Sequence, residues 1–292
     1  MVSVNDQAPE TRAEADAADS MADRKHNRTL RPESTTFSDF MLSGWGDENA
    51  NVQPLESSKY IQSRLTALGE RFPGERLVIP AGQAKVRNDD CDYAFRPDSA
   101  FAYYTGLGQD YEAGAVLVLN PVAEGSADAV RGKTHNAVLY LHPRSDQSTQ
   151  DYYRSAAYGE YWVGARPGLD GIKIMTGLDT ADIAGLNDAL AKDVGTEQGA
   201  IRVRIIRNID VEVTATVDAI RQAGGFDNPD ATESDDNTFY EFASTARMIK
   251  DDFEVREMRK AIAATHDGFT RMLEALPAAR GKERGERILE GK

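Results

Sequence analysis

Apolar and polar positions alternate along this chain in two rhythms, and the strongest signal is a short wholly apolar run. Ala115-Val116-Leu117-Val118-Leu119 reads as a strand buried on both faces. Asn120-Pro121 is expected to stop it, because proline has no N–H to give to a ladder. Ala137-Val138-Leu139-Tyr140-Leu141 is a second such run, suited to antiparallel pairing with the first across a long connection, and Arg76 to Pro80 reads as a further strand. Phe101 to Thr105 is rich in residues that suit a pleated surface and is predicted as a neighbouring strand. Ile201, Val203 and Ile205 alternate with polar residues, the period of a half-buried strand.

Elsewhere the spacing is helical. Ile61, Leu65, Leu68 and Phe72 step along one face, predicting a helix over about 59–72, with Ser57 and Ser58 as caps and Pro73-Gly74 as its stop. Residues 149–163 carry four Tyr and one Trp and predict a helix with an aromatic face. Gly164 to Gly171 reads as loop, and two short helices fit near 180–194. Val213, Val217 and Ile220 predict a helix closed by Gly224-Gly225; Phe239, Phe242, Ala246 and Ile249 predict another. A last helix starts near Asp251-Asp252, where acidic residues suit the positive end of the helix dipole. It carries Met258, Ile262, Thr265, Phe269, Met272 and Leu276 as an apolar stripe and is expected to end at Pro277. Ile288-Leu289 looks like the start of one more helix.

Strands and helices mix without an internal repeat. The expected fold class is therefore α/β, a mixed β-sheet flanked by helices, over residues 57–247. Residues 248–292 read as the first helical piece of a second domain. Residues 1–35 have almost no large apolar side chains and read as a disordered acidic extension. Residues 36–56 hold an apolar island of Phe37, Phe40, Met41, Leu42 and Trp45, spaced for one or two helical turns docked on this chain or on a partner subunit.

The 292 residues carry a formal net charge of −14, with 40% hydrophobic residues. That balance argues against nucleic acid, whose phosphates need Lys and Arg, and against an anionic membrane surface. No apolar run is long enough to span a membrane, and the N-terminus lacks a signal peptide's basic and apolar regions. Cys91 is the single cysteine, so no disulfide forms within the chain, and a reducing cytoplasm fits. Asp89, Asp90 and Asp92 flank Cys91 and would raise its thiol pKa. They are the best carboxylate cluster, but they lack the glycine and closing glutamate of a calcium loop. His135 and His142 flank one strand and sit too far apart to share a metal if it is straight. His266-Asp267 reads as an ordinary helical surface pair. Gly106-x-Gly108 lacks the third glycine and following helix of a dinucleotide loop, and no nucleophile elbow or P-loop pattern occurs.

The long loop 81–99 and the segment just after it hold the most informative residues. Arg87-Asn88-Asp89, Tyr93, Phe95-Arg96-x-Asp98-Ser99-x-Phe101 and Tyr104-Thr105-Gly106 resemble, in order and spacing, the amino-terminal domain of Xaa-Pro aminopeptidases (aminopeptidase P). Arg247-x-x-Lys250, Glu254-Val255-x-x-Met258-Arg259-x-Ala261 is similar to the opening of that family's catalytic domain, and Glu160-x-Trp162-x-Gly164-x-Arg166 is a weaker third match. Ala102 stands where bacterial members often carry a bulky aromatic.

The resemblance implies removal of an N-terminal residue that precedes proline, with two divalent ions, usually manganese, held by two Asp, one His and two Glu. In the family those ligands lie downstream of the helix that begins at Asp251, so none is carried over to this chain, which is expected to be inactive alone. The resemblance further implies a homo-oligomer whose amino-terminal domains border a partner's active site. On that reading Arg87, Asp89, Arg96, Asp98, Tyr103 and Tyr104 are candidates for a substrate cleft or subunit interface. A purely structural reading has Arg87 or Arg96 paired with Asp98 to pin the loop. Prolidase-like and creatinase-like enzymes share the two-domain plan and stay open, as does a non-catalytic assembly domain.

Overall fold

A computed structural model of the chain describes residues 40, 52–88, 91–109, 111, 113–145, 151–197, 200–226 and 228–291. Phe40 is helical and exposed; the rest of the expected acidic extension and apolar island lies outside the described residues. The chain divides into two units, Met1–Tyr240 and Glu241–Lys292.

The first unit is built on a sheet of five strands: β1 (Glu75–Pro80), β4 (Val116–Pro121), β5 (His135–Leu141), β6 (Asp179–Asp182) and β7 (Arg202–Ile205). A separate two-stranded hairpin comprises β2 (Val86–Asn88) and β3 (Cys91–Asp92). The large sheet has the order β6-β5-β4-β1-β7. β4 lies antiparallel between β1 and β5, whereas β6 and β7 join their neighbours in parallel. The expected mixed sheet is thus present, and the Ala115–Leu119 and Ala137–Leu141 runs pair as anticipated, with Val118 opposite Val138.

β4 does not stop at Asn120-Pro121, as the sequence suggested; Pro121 pairs with His135. The reason is register. The next N–H, of Val122, donates to the Thr134 carbonyl at 2.9 Å, so the pair before it is a non-hydrogen-bonded one, where a proline loses nothing on that side.

Alternation along the central strands sorts the core into two layers. Val78, Val116, Val118, Tyr140, Val203 and Ile205 face one way. They are covered by Leu186 and Leu190 of α7 (Leu186–Ala191) and Val217 of α8 (Val211–Ala223). Leu77, Ile79, Leu117, Leu119, Leu139 and Leu141 point to the other face and are fully buried. There lie α1 (Ser58–Arg71), α2 (Ser99–Thr105) and α6 (Gly168–Thr176), while the short α3 (Ala127–Val130) falls in the connection from β4 to β5. With helices on both faces, continuous apolar strands are what burial requires.

Several local expectations change. Ser57 begins α1 but has a helical backbone and makes no side-chain cap bond. Phe101–Thr105 is helix, not strand. The Asp98 side chain accepts from the Ala100 N–H at 2.8 Å, and Gly106 closes the helix with φ 72°. Two caps with seven residues between them outweigh aromatic strand propensity. The aromatic helix expected over 149–163 is two short helices, α4 (Asp151–Arg154) and α5 (Glu160–Val163). They are broken before Gly159, where an added Cβ would lie 2.4–2.6 Å from three backbone carbonyl oxygens. The expected loop 164–171 already contains the start of α6, and part of the expected helical region 180–194 is strand β6.

Charged residues close the β7 edge. The Val203 carbonyl accepts from Arg221 Nη2 at 2.6 Å, and the Ile205 N–H donates to Asp236 Oδ1 at 2.9 Å. Side chains from α8 and α9 (Pro229–Ala246) thereby occupy groups that an unpaired edge would offer to another chain. On β1, Arg76 is buried and bonds Asn120 Oδ1 (2.7 Å) and the Leu190 and Lys192 carbonyls (2.7 and 2.8 Å) at the end of α7. Burial lowers its guanidinium pKa from the ordinary value.

In the second unit, α10 (Asp252–Ala279) opens on a reciprocal capping box between Asp251 and Glu254. It runs two residues past Pro277 rather than ending there, since only the last turn loses a bond. Met258, Ile262, Phe269 and Leu276 are exposed. α11 (Gly285–Glu290) packs back on its end.

Candidate functional site

The loop 81–99 is closed at its base. The Ala81 N–H donates to the Ala115 carbonyl (2.8 Å), and the Asp98 N–H donates back to the Ala81 carbonyl (2.9 Å). Near its start, Gln83 Nε2 donates to Asp210 Oδ2 at 2.7 Å. Asp210 is itself buried as the N-cap of α8, accepting the Glu212 and Val213 N–H groups. The loop is therefore tied to both the sheet and a core helix. From this base the β2–β3 hairpin projects with every described residue exposed.

The candidate residues distribute unevenly over this frame. Arg87 lies on β2 and is exposed, and Arg96 is exposed in the strand-to-helix segment. Asp89 lies outside the described residues. Asp98 spends one oxygen capping α2, and among the described residues no ion pair joins it to Arg87 or Arg96. The cap, not the expected Arg–Asp pair, holds this end of the loop. Tyr103 is half-buried, with the Arg64 guanidinium 4.0 Å above its ring, and its carbonyl accepts from Arg64 Nη1 at 2.6 Å. Tyr104 is only 1% exposed, so its place is in the core.

The structure brings together two of the sequence matches that lie about 70 residues apart. A cavity of about 410 Å³ is lined by Asp92, Tyr93 and Phe95 from the hairpin side and by Tyr158, Arg166 and Pro167 from the segment after α4. Its size falls in the range of small-molecule clefts. Tyr93 is 59% exposed at its rim.

The second wall is built by the Glu160-x-Trp162-x-Gly164-x-Arg166 run. Buried Glu160 accepts from Arg144 Nε at 2.6 Å and from the Arg166 N–H at 3.3 Å. Trp162 Nε1 donates to the Tyr153 carbonyl at 2.5 Å. Gly164 caps α5 with φ 79°. Arg166 donates to the Pro143 and His142 carbonyls at 3.2 Å and lies 5.3 Å over the Tyr158 ring, which stacks on His142 at 3.9 Å. Tyr111 also lines the cavity, and neither it nor Tyr158 was a site candidate from the sequence. The signal for Tyr158 was its place in the aromatic run just before Glu160.

Among the described residues no three His, Cys, Asp or Glu side chains gather as a metal site needs. His135 Nε2 lies 2.8 Å from the Glu75 carbonyl, and His142 is stacked on Tyr158. These residues do not fit the two-ion centre that the resemblance implies, and no metal-dependent step is assigned to them. Among the described residues no helix is long and apolar enough to cross a membrane.

The sheet order, the helices on both faces and the closed loop define an aminopeptidase P N-terminal domain, and the model of that domain family matches residues 61–201. Xaa-Pro aminopeptidase 1 of Streptomyces coelicolor is 33% identical over 259 residues, covering 88% of this chain and 46% of its own. Xaa-Pro aminopeptidase 2 of the same organism is 33% identical over 272 residues, covering 93% and 51%. The chain thus belongs to the Xaa-Pro aminopeptidase family, of which it carries the amino-terminal region. It spans about half the length of the curated relatives it matches. A solved Escherichia coli aminopeptidase P variant shares the fold with a TM-score of 0.58 at 23% identity, over 81% of this chain and 48% of that one.

Proposed function

We propose that this chain is the amino-terminal part of a cytoplasmic, manganese-dependent aminopeptidase that removes an N-terminal residue preceding proline. On this reading residues 57–247 serve assembly and shape the substrate cleft, and residues 248–292 begin the catalytic domain. The two manganese ions and their five ligands belong to the full-length protein beyond Lys292, and the 1–292 chain is inactive by itself. The full-length protein is a homo-oligomer acting on peptides with proline in second position.

The observation that supports this reading is the 33% identity to two Xaa-Pro aminopeptidases across both units. The exposed β2–β3 hairpin adds a reason for the assembly role. An isolated two-stranded ribbon is marginal in water, and Val86 and Tyr93 are exposed on it; a neighbouring subunit would cover them. Arg87, Asp89 and Arg96 are the residues placed to meet that neighbour or its substrate. Asp98 and Tyr103 position them through α2, and Tyr104 does so from the core.

The test is hydrolysis of a short X-Pro peptide, with and without manganese, by the 1–292 chain and by the full-length protein. Manganese-stimulated turnover by the full-length protein alone is expected. Turnover by the 1–292 chain would overturn the assignment of the chemistry to downstream residues. In the full-length enzyme, Arg87→Ala and Arg96→Ala are expected to raise KM or weaken the oligomer while the fold is kept. Unchanged kinetics and assembly in both would remove the cleft and interface role.

A further inference from the structure

We propose that His135 is a proton-operated latch between α1 and the sheet: as a neutral imidazole it holds the seam closed, and a second proton on the ring loosens it. His135 opens β5 and is only 7% exposed. Its Nε2 reaches the Glu75 carbonyl on β1 at 2.8 Å. A carbonyl only accepts, so Nε2 carries the hydrogen and Nδ1 presents a bare lone pair. Nδ1 is buried without a hydrogen-bond partner.

What Nδ1 meets is the backbone of α1 at Gly69. A Cβ added there would lie 2.6 Å from Nδ1 and 2.4 Å from Thr134 Oγ1. Only a glycine lets the helix lie this close, and a CH₂ group is a tolerable neighbour for a lone pair. It is no acceptor for an N–H. Protonation would place a charged donor at Nδ1 against Gly69 with no hydrogen-bond partner in place, and an unsatisfied buried charge is among the costliest groups in a fold.

The charged groups around the ring do not offer relief. Glu75 supplies its carbonyl, while its carboxylate is forked by Arg204 at 2.5 and 3.0 Å. Across a cavity of about 80 Å³ lie Lys133 from the preceding turn and Asp179 from β6, the latter paired with Lys173 at 3.0 Å. α1 contributes Gln62 and Thr66 to that cavity, both uncharged. His135 itself borders this cavity, which has room for water, but Nδ1 is buried away from it, so an Nδ1 proton gains solvation only as the seam opens.

Burial holds the His135 ring below its ordinary value of 6.5, against the opposing pull of Glu75. The unfolded chain thus binds this proton first as pH falls. The seam's stability is complete above about 6.5 and declines as pH drops from there towards the folded value.

Amide hydrogen exchange across residues 58–71, corrected for intrinsic rates, tests this at pH 7.5 and 5.0. The 1–292 chain should lose protection in α1 at the lower pH, the direction that a lowered imidazole requires. His135→Gln keeps an N–H able to reach the Glu75 carbonyl and cannot titrate, so its α1 protection should be the same at both values. Equal losses in the two proteins, or none in the unaltered chain, would overturn the latch. Nitrogen-15 NMR of the unaltered chain gives a second reading that needs no variant. It should show the Nε2–H tautomer at pH 7.5 and a midpoint below 6.5; an Nδ1–H tautomer or a midpoint at or above that value refutes the proposal.

Discussion

Asp236 is 1% exposed yet fully engaged. It accepts from Arg221 at 2.8 and 2.5 Å, from Arg207 at 3.0 Å and from the Ile205 N–H at 2.9 Å. Truncating it leaves the almost completely buried Arg221 with only a 3.3 Å contact to Asp218 Oδ1 and takes one of two carboxylates from Arg207. Asp236→Ala should therefore lower unfolding free energy by roughly 3–5 kcal/mol, read from urea midpoints. Its neighbour Asp218 lies nearer the surface and receives Arg207 at 2.8 and 2.6 Å. Arg207 holds the Asp218 carboxyl below its ordinary value of 3.8. A lowered carboxylate stabilises the fold above that value and loses its contribution as pH falls through the folded one. Asp218→Asn should accordingly lower stability near neutrality and flatten the acid limb of a stability–pH curve below about pH 4, where the two proteins converge.

Among the elements, α2 depends most on its ends. It is seven residues long, too short to be stable from propensity alone. Asp98→Ala should cost about 1 kcal/mol and loosen the base of the 81–99 loop, visible as faster exchange of the Ala100 N–H. Gly106→Ala should cost more than Asp98→Ala. It forces a side chain into φ 72° and places a Cβ 2.6 Å from Ser57 Oγ. The same element shows why a strand was expected here. Phe-Ala-Tyr-Tyr-Thr has strand-like composition, and seven residues give barely two helical turns in which periodicity can declare itself. The caps on either side, Asp98 and Gly106, were the better signal. α8 was legible for the opposite reason: thirteen residues of clear spacing end at Gly224.

For the molecule as a whole, the two units predict different behaviour. The first has apolar strands covered on both faces. The second carries an exposed apolar stripe, with Ile262 at 66% and Phe269 at 58%. Exposed patches of this kind promote association. The 1–292 chain should self-associate with rising concentration in analytical ultracentrifugation, and Phe269→Glu should shift it towards monomer. A concentration-independent monomer would show that the stripe is not sticky.

What the chain's own pattern determined was class and kinship. Runs such as Val116–Leu119 and Val138–Leu141 can only be satisfied between two covered faces, so a flanked sheet was implied by composition and period alone. The Arg87–Gly106 run identified the family because order and spacing survive in linear sequence. Tertiary structure decided what depends on distance in space. Pro121 could remain in β4 only because register put it in a non-hydrogen-bonded pair. The cavity exists because Tyr93 and Phe95 come to face Tyr158 and Arg166, a proximity no local pattern encodes. Asp98 was expected to bind an arginine and instead caps a helix, because backbone N–H groups two residues away reach a short carboxylate sooner than a long flexible cation can.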